Sequence, residues 1–538
     1  MPKTASIHKT PPSKRQISFP IPAAMDMTRF IVVLGTTSHS GKSTIVAALC
    51  RILRNRGLKV APFKSQNMSL NSWVTSEGKE MGIAQAVQAW AAGIEPRELM
   101  NPILLKPKGD RTSQVIVLGV PVADRSAEEY YRGIDGLKEV VDRALEELSR
   151  DYDYIVVEGA GGAAEINLFD RDIANIYVAK KLGAPVILVG DIERGGVFAS
   201  LYGTVALLPP EIRPLVRGLV INKFRGDPGI LEPGLAMLED LTGVPVLGVM
   251  PYLDLNLPSE DSVSLGDKGV YPGGAGADLN RSVDGGSVGE GAGGVDRVEI
   301  AVIRLPRISN FTDFEPLERE ARVRYVTPGE PLGSPDAIII PGTKNTVADL
   351  EEMRARGTDR EILASRDAGV PVLGICGGYQ ILGRRIVDLG IENATAVLPG
   401  LGLLDLETRF DRYEKRTVQV EKTVTGSGPI LGPIKGEPVR GYEIHMGVTA
   451  SRDPPAFGDD GAVGGDGLVI GTYLHGIFNN QNFRDAFLDY LYSRKNMVRG
   501  SAMAGDGYDE LASAAETFLD MKKIWDMIDL EPEARKGP

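Results

Sequence analysis

The chain is poor in the residues of thiol, imidazole and indole chemistry: its 538 residues include 2 Cys, 4 His and 3 Trp. Two cysteines cannot build a disulfide framework or a Cys-rich zinc site, so a reducing, cytoplasmic setting is expected. Any thiol or imidazole chemistry falls to Cys50, Cys376, His8, His39, His445 or His475. Long apolar runs are also missing. No stretch approaches the roughly 20 residues that span a bilayer, and the first 26 residues lack the apolar segment of a secretory signal. Nor is there an excess of positive charge: 60 Lys and Arg against 72 Asp and Glu give a formal net charge of −12. That balance disfavours phosphate-tracking contact with nucleic acid. Neither nucleic acid nor membrane is an expected partner, and small molecules remain. The rest is an ordinary soluble composition, 43% hydrophobic and 25% charged, in a chain too long for one core.

Apolar runs without period-two alternation recur at 30–34, 58–62, 154–157, 185–189, 219–221 and 244–249, with helix-like segments such as 45–53 and 128–148 between several of them. This pattern predicts a parallel sheet covered on both faces. Residues 266–294 contain 11 Gly and have little to bury, which reads as a flexible linker. A second series of strand-like runs follows at 298–303, 337–340, 370–375 and 467–473. The expected organisation is α/β in two domains: a tail at 1–27, with Met25 or Met27 as an alternative start, a P-loop parallel-sheet domain at 28–262, a Gly-rich linker at 263–296, a second α/β domain at 297–491 and a helical C-terminal tail at 492–538.

Residues 35–44, GTTSHSGKST, lie between the first strand and the first helix. Small residues let backbone N–H groups close on phosphate oxygens at a helix start. Gly35, Thr36, Gly41, Lys42, Ser43 and Thr44 are the nucleotide-binding candidates, with Lys42 directed to the β- and γ-phosphates and Ser43 to Mg²⁺. The usual spacing puts Gly at 36; here Thr36 stands there and Gly35 precedes it. His39 reads as a loop-tip residue. Glu158 ends a buried strand ahead of GAGG, where a parallel sheet binds its ligands, and is the second Mg²⁺ candidate. Lys64, Gln66, Asn67, Asp191, Arg194 and Arg225 follow other strands and are candidates for phosphate or an anionic substrate. The segment NKFRGD at 222–227 does not have the spacing of a guanine-reading motif, which favours ATP over GTP and makes Asn222 a candidate adenine contact.

The segment VLGICGGYQ at 372–380 is a strand, then Gly-x-Cys-Gly-Gly, then a helix, the layout of a nucleophile elbow with Cys376 at its tip. Glycines permit the sharp turn, and a helix start stabilises negative charge, the form in which a thiol attacks. The N–H of Gly377 and the loop at Gly342 are expected to form an oxyanion hole. His475, in TYLHGIF just past a late strand, is the expected base and general acid, with His445 as its competitor. Cys50, within the first helix among Ala, Leu and Ile, reads as structural, and His8 lies in the tail.

On these residues the second domain resembles the class I glutamine amidotransferases, of flavodoxin-like fold, whose Cys–His pair hydrolyses glutamine to ammonia. Common members carry a Glu two residues after the His. Here that position is Ile477, a departure shared with the cobyrinic-acid branch, which leaves open what orients His475. The first domain resembles dethiobiotin synthetase in residues 35–44, in Lys64 and in EGAGG at 158–162. The two in this order resemble the cobyric acid synthase family, through KSQNMS at 64–69, AEINL at 164–168, NKFRGD at 222–227, PGTKNT at 341–346, GLLD at 402–405 and GYEIH at 441–445. Ser65 stands where the family has Pro, and Thr343 where it has Ser.

The resemblance implies a glutamine-dependent amide ligase of cobalamin biosynthesis, with ATP, Mg²⁺ and glutamine, and with a corrinoid bound by the first domain. It would amidate the b, d, e and g carboxylates of adenosylcobyrinic acid a,c-diamide through acyl phosphates, giving adenosylcobyric acid. Cobyrinic acid a,c-diamide synthase, with the same chemistry on other carboxylates, is the neighbouring alternative. A partitioning-type nucleotide-switch ATPase is the alternative of another class, though such a switch has no use for the Cys376 elbow. The sequence leaves the oligomeric state open.

Overall fold

The computed structural model describes residues 25, 27–109, 111–253, 255, 257–258, 297–392, 394–500 and 507–531. The expected Gly-rich linker and nearly all of the expected N-terminal tail lie outside the described residues. The first sheet has six parallel strands in the spatial order Val246–Pro251, Val216–Phe224, Val186–Asp191, Arg29–Gly35, Tyr154–Glu158, Val60–Phe63. In Arg29–Gly35 every residue after Arg29 is buried, as expected when helices cover both faces. A smaller sheet, Gln66–Met68, Ile103–Pro107, Thr112–Val117 and Val120–Ser126, and the hairpin Ser72–Val74 with Glu80–Gly82 are added at one end. The segment 128–148 is not one continuous helix. Gly133 interrupts it (φ −95°, ψ 10°), giving Ala127–Arg132 and Ile134–Asp151.

The second sheet runs Arg322–Val326, Glu299–Ile303, Ala337–Ile340, Val372–Ile375, Val469–Thr472, with Ala462–Val463 antiparallel at the edge. Beside it, Lys415–Thr423, Pro438–Met446 and Leu474–His475 form an antiparallel ribbon. The loops that follow the carboxyl ends of Val60–Phe63 and Glu299–Ile303 meet. Ser72 N–H donates to Asn310 Oδ1 (3.0 Å) and Phe311 N–H to Asn71 Oδ1 (3.2 Å).

After Gln481–Arg494 the chain returns to the first domain. The helices Gly507–Phe518 and Met521–Met527 pack their apolar residues, Leu511, Ile524 and Trp525 among them, into the core around the helix Lys42–Asn55. Arg51 pairs with Asp509 at 2.7 Å, and Leu519 bridges Gly248, where a Cβ would lie 2.1 Å from the Phe518 carbonyl. Trp525 is fully buried beneath the Arg56 guanidinium, 4.3 Å from its ring centre. Trp525→Ala should destabilise the first domain by about 3–5 kcal/mol, seen as a lower urea midpoint. An unchanged midpoint would mean that these helices contribute nothing to that core.

Candidate active site

The first centre is a cleft of ≈ 1140 Å³ at the carboxyl edge of the first sheet. Thr36, Gly41, Lys42, Ser43, Thr44, Lys64, Gln66, Asn67, Glu158, Arg194 and Asn222 all line it, and His39 sits at its rim. Gly41 caps the helix Lys42–Asn55 with φ +94°, and a Cβ there would meet Asn222 Nδ2 at 1.8 Å. Asn222 in turn donates to the Ser40 carbonyl (3.1 Å), so it braces the loop from below. Gly35 ends the strand beneath, where a Cβ would crowd Ser40 and Lys42. The Lys42 ammonium donates to the carbonyls of Thr37 and Gly161, both at 2.9 Å, and so bridges the two phosphate-side loops.

Glu158 is buried at the strand end. Its Oε1 accepts from Ser43 Oγ and from Lys64 Nζ, both at 2.7 Å, and its Oε2 from Gln88 (2.5 Å) and Gln85 (3.3 Å). Burial works to raise its pKa, but the Lys64 ammonium and these hydrogen bonds outweigh burial and hold it below the ordinary carboxylate value. The donors here are oxygens, a hydroxyl and a carboxylate side by side, as Mg²⁺ prefers when phosphates complete its shell. Three expected residues are absent from the cleft lining, Gly35 beneath the loop and two others. Asp191 is taken up by Lys223 (2.8 Å) and by the Glu193 N–H (2.8 Å), and Arg225 lies over the Tyr252 ring and pairs with Glu193.

The second centre surrounds Cys376, which joins the strand Val372–Ile375 to the helix Gly377–Leu382 with φ +53° and ψ −109°. A β-carbon in that region is strained, and such strain concentrates at functional turns. The helix-opening Gly377 has no room for a side chain: a Cβ would meet Thr343 Cγ2 at 2.6 Å. The strand Gly342–Thr343 therefore lies against the elbow, on the side of Gly377. Cys376 Sγ lies 3.4 Å from the Ile444 carbonyl.

His475 is buried against Cys376, with its ring stacked on Tyr442 and its Cε1 beside Gly342. Its Nδ1 is 2.7 Å from Asp313 Oδ2, and Asp313 Oδ1 accepts the Gly476 N–H at 2.8 Å. Asp313 thus fills the orienting place that Ile477, buried in the core, leaves vacant. Nothing in local spacing points to it, because 162 residues separate it from His475. The only hint is a carboxylate between two aromatics, Phe311 and Phe314, in a short turn. The competitor His445 stacks on Tyr473 at 3.6 Å and also lines the Cys376 pocket, with Nδ1 buried and without a hydrogen-bond partner among the described residues.

Burial acts against a charged His475 imidazole. The Asp313 charge and hydrogen bond, with a smaller contribution from Cys376, nevertheless push its pKa up to about 10 from 6.5. The folded value lies above the unfolded one. This interaction therefore stabilises the fold fully below about pH 6.5, and its contribution is lost as pH rises through about 10. Asp313→Asn should cut glutamate release from glutamine by about 10²–10⁴-fold. It should also cost most stability in mildly acidic buffer, the difference from wild type shrinking as pH rises above neutrality. Equal loss of stability at all pH values would mean that Asp313 does not hold the imidazolium.

The comparisons with known proteins agree with this pairing of centres. Residues 31–262 match the CobQ/CobB/MinD/ParA nucleotide binding domain, and residues 299–483 the CobB/CobQ-like glutamine amidotransferase domain. A probable cobyric acid synthase of Methanococcoides burtonii is 61% identical over 94% of this chain and 98% of its own length. Its counterparts in Methanosarcina mazei (58%; 92% of this chain, 98% of theirs) and Methanoregula boonei (55%; 92% and 98%) are nearly as similar. With a P-loop domain and a glutamine amidotransferase domain matched along nearly its whole length, the chain belongs to the cobyric acid synthase family, glutamine-dependent amidotransferase ligases of cobalamin biosynthesis.

Proposed function

We propose that this chain converts adenosylcobyrinic acid a,c-diamide to adenosylcobyric acid by amidating its b, d, e and g carboxylates, with one ATP and one glutamine for each. The observation that carries the reading is the pairing in one chain of a strained Cys376 beside an Asp313-held His475 with a phosphate loop whose Ser43 touches Glu158. Ammonia alone does not displace an oxide ion from a carboxylate. The first centre removes that obstacle: a corrin carboxylate oxygen bonds to the γ-phosphorus of ATP, ADP leaves, and the acyl phosphate carries a good leaving group.

Lys42 and the backbone N–H groups of residues 36–43 hold the phosphates. Ser43 and Glu158 would hold Mg²⁺, which when bound neutralises phosphate charge. Lys64, Gln66, Asn67 and Arg194 face the same cleft and are assigned to phosphate or the anionic corrinoid. Asn222 is assigned a structural part in the loop together with any adenine contact.

At the second centre Cys376 Sγ attacks the glutamine side-chain carbonyl while the Gly377 and Gly342 region receives the oxyanion. His475 gives its proton to the leaving ammonia, and then takes one from the water that releases glutamate. Transfer of ammonia between the centres is supported by one stretch of chain that touches both. Gln85 and Gln88 bond Glu158, while Glu80 of the same stretch bonds Lys415, which lines the Cys376 pocket. The two cysteines are unpaired, in keeping with the cytoplasmic setting we assign.

The test is mass spectrometry of a corrin a,c-diamide incubated with ATP, Mg²⁺ and glutamine. Four successive losses of about one mass unit are expected, as each OH becomes NH₂. Amidation that starts from cobyrinic acid and stops after two steps would instead select the a,c-diamide synthase reaction.

A further inference from the structure

The Cys376 pocket is not built by the amidotransferase domain alone. Lys344 and Lys415 of that domain line it together with Lys106 and Lys108 from the strand Ile103–Pro107 and its following turn in the first domain. Four ammonium groups thus converge on the pocket that holds the thiol. Their acids are unevenly shared. Glu80, fully buried, takes both Lys106 (2.7 Å) and Lys415, and Lys106 also donates to Ser72 Oγ (2.8 Å). Lys108 pairs with Asp124 at 2.6 Å. Lys344 has no carboxylate within ion-pair distance among the described residues; its ammonium donates to the neutral Gln114 amide across the domain seam, at 2.8 Å. One acid lines the pocket without a cation bonded to it among the described residues: Glu392, which is held by Thr346, whose N–H donates to its Oε2 at 2.9 Å.

A pocket with a nucleophile, one ammonium bonded to no carboxylate and one carboxylate bonded to no ammonium among the described residues matches a zwitterion whose neutral end reacts. We infer that this cluster recognises the amino-acid head of glutamine, with Lys344 taking its α-carboxylate and Glu392 its α-ammonium while the side-chain amide lies at Cys376. The inference rests on the glutaminase reading above and adds the groups that select its substrate. Burial supports it from another side. Burial, with the neighbouring lysines Lys415, Lys106 and Lys108, holds the Lys344 ammonium well below its ordinary pKa, and burial pushes Glu392 up to about 7. Lys344 feels Glu80, and Glu392 feels Lys344, without bonding to them, and the zwitterion supplies each with a bonded opposite charge. Because Gln114 and the Lys106–Glu80–Lys415 cluster belong partly to the first domain, the glutamine head is held at the seam and not inside one domain.

The experiment measures ammonia release by the full chain from two substrates, glutamine and glutaminamide, which lacks the α-carboxylate and leaves glutamic acid α-amide in place of glutamate. Wild type should prefer glutamine. Lys344→Met should raise the KM for glutamine roughly 30-fold or more while kcat changes only a few-fold, since a charged partner is removed far from the reacting bond. Its use of glutaminamide should change little, so that the preference collapses. Lys344→Arg, which keeps the charge, should recover most of the lost glutamine affinity. An unchanged KM, an equal loss for both substrates, or failure of the Arg variant to recover what the Met variant loses would overturn the inference. Absence of ammonia release from glutamine by wild type would instead remove the glutaminase reading itself, and the two failures are distinguishable.

Discussion

Cys376→Ala is expected to lower glutamine-driven amidation by at least about 10⁴-fold while amidation driven by added ammonium chloride persists. The asymmetry follows from the division of labour. In the proposed reaction Cys376 Sγ bonds to glutamine and to nothing in the synthetase cleft, so its loss is expected to remove the ammonia source and leave the acyl phosphate chemistry in place. The side chain is small and sits on a turn fixed by the strand before it and the helix after it, with Cys376 N–H bonded to the Thr472 carbonyl at 2.8 Å. Alanine fits that turn, so the fold should survive. Parallel assays of corrin amide formed from glutamine and from ammonium make the comparison. Equal loss with both donors would show that Cys376 supports the structure and not the chemistry.

The opposite asymmetry is expected at the other centre. Glu158→Gln should depress amidation by about 10²–10³-fold with glutamine and with ammonium alike. The carboxylate holds Ser43 and Lys64 at 2.7 Å each, at the edge where phosphates are expected. An amide in its place loses the charge opposite Lys64 and turns its NH₂ toward one pair of donors, Ser43 and Lys64 or Gln85 and Gln88. The buried ammonium is then unpaired, which costs about 3–5 kcal/mol of stability. The folded pKa of Glu158 lies below the ordinary 4.5, so its contribution is complete above that value and is lost as pH falls further. The stability gap between wild type and variant should therefore close in strong acid. Retained ammonium-driven amidation would show that Glu158 is not part of the synthetase centre.

The parts of this site that were legible in the sequence are those that chemistry confines to a few consecutive residues. A phosphate loop must pass from strand to helix through small residues, and a thiol elbow must do the same with a Cys at its tip, so residues 35–44 and 372–380 announce themselves. Both parallel sheets were legible for a similar reason: strands buried on two faces carry unbroken apolar runs. What escaped depends on pairing across the chain. Asp313 meets His475 from 162 residues away, and Glu80 meets Lys415 across 335. No spacing rule reaches that far. Asp191 and Arg225 sit at the carboxyl ends of their strands, as ligand-binding residues do, but Lys223, Glu193 and Tyr252 engage them first. The helix Gly507–Phe518 has an amphipathic pattern that declares a helix, yet a pattern does not say which surface it covers. That surface is the helix behind the phosphate loop.

These observations converge on one claim, that nitrogen released at Cys376 is delivered within the same molecule to the carboxylate activated beside Lys42. The most direct measurement supplies glutamine labelled with ¹⁵N in its side-chain amide, together with an equal concentration of unlabelled ammonium chloride, and weighs the corrin product. Delivery through the domain seam predicts that every new amide carries ¹⁵N, each making the product about one mass unit heavier than its unlabelled form. Label diluted in proportion to the ammonium in solution would contradict it.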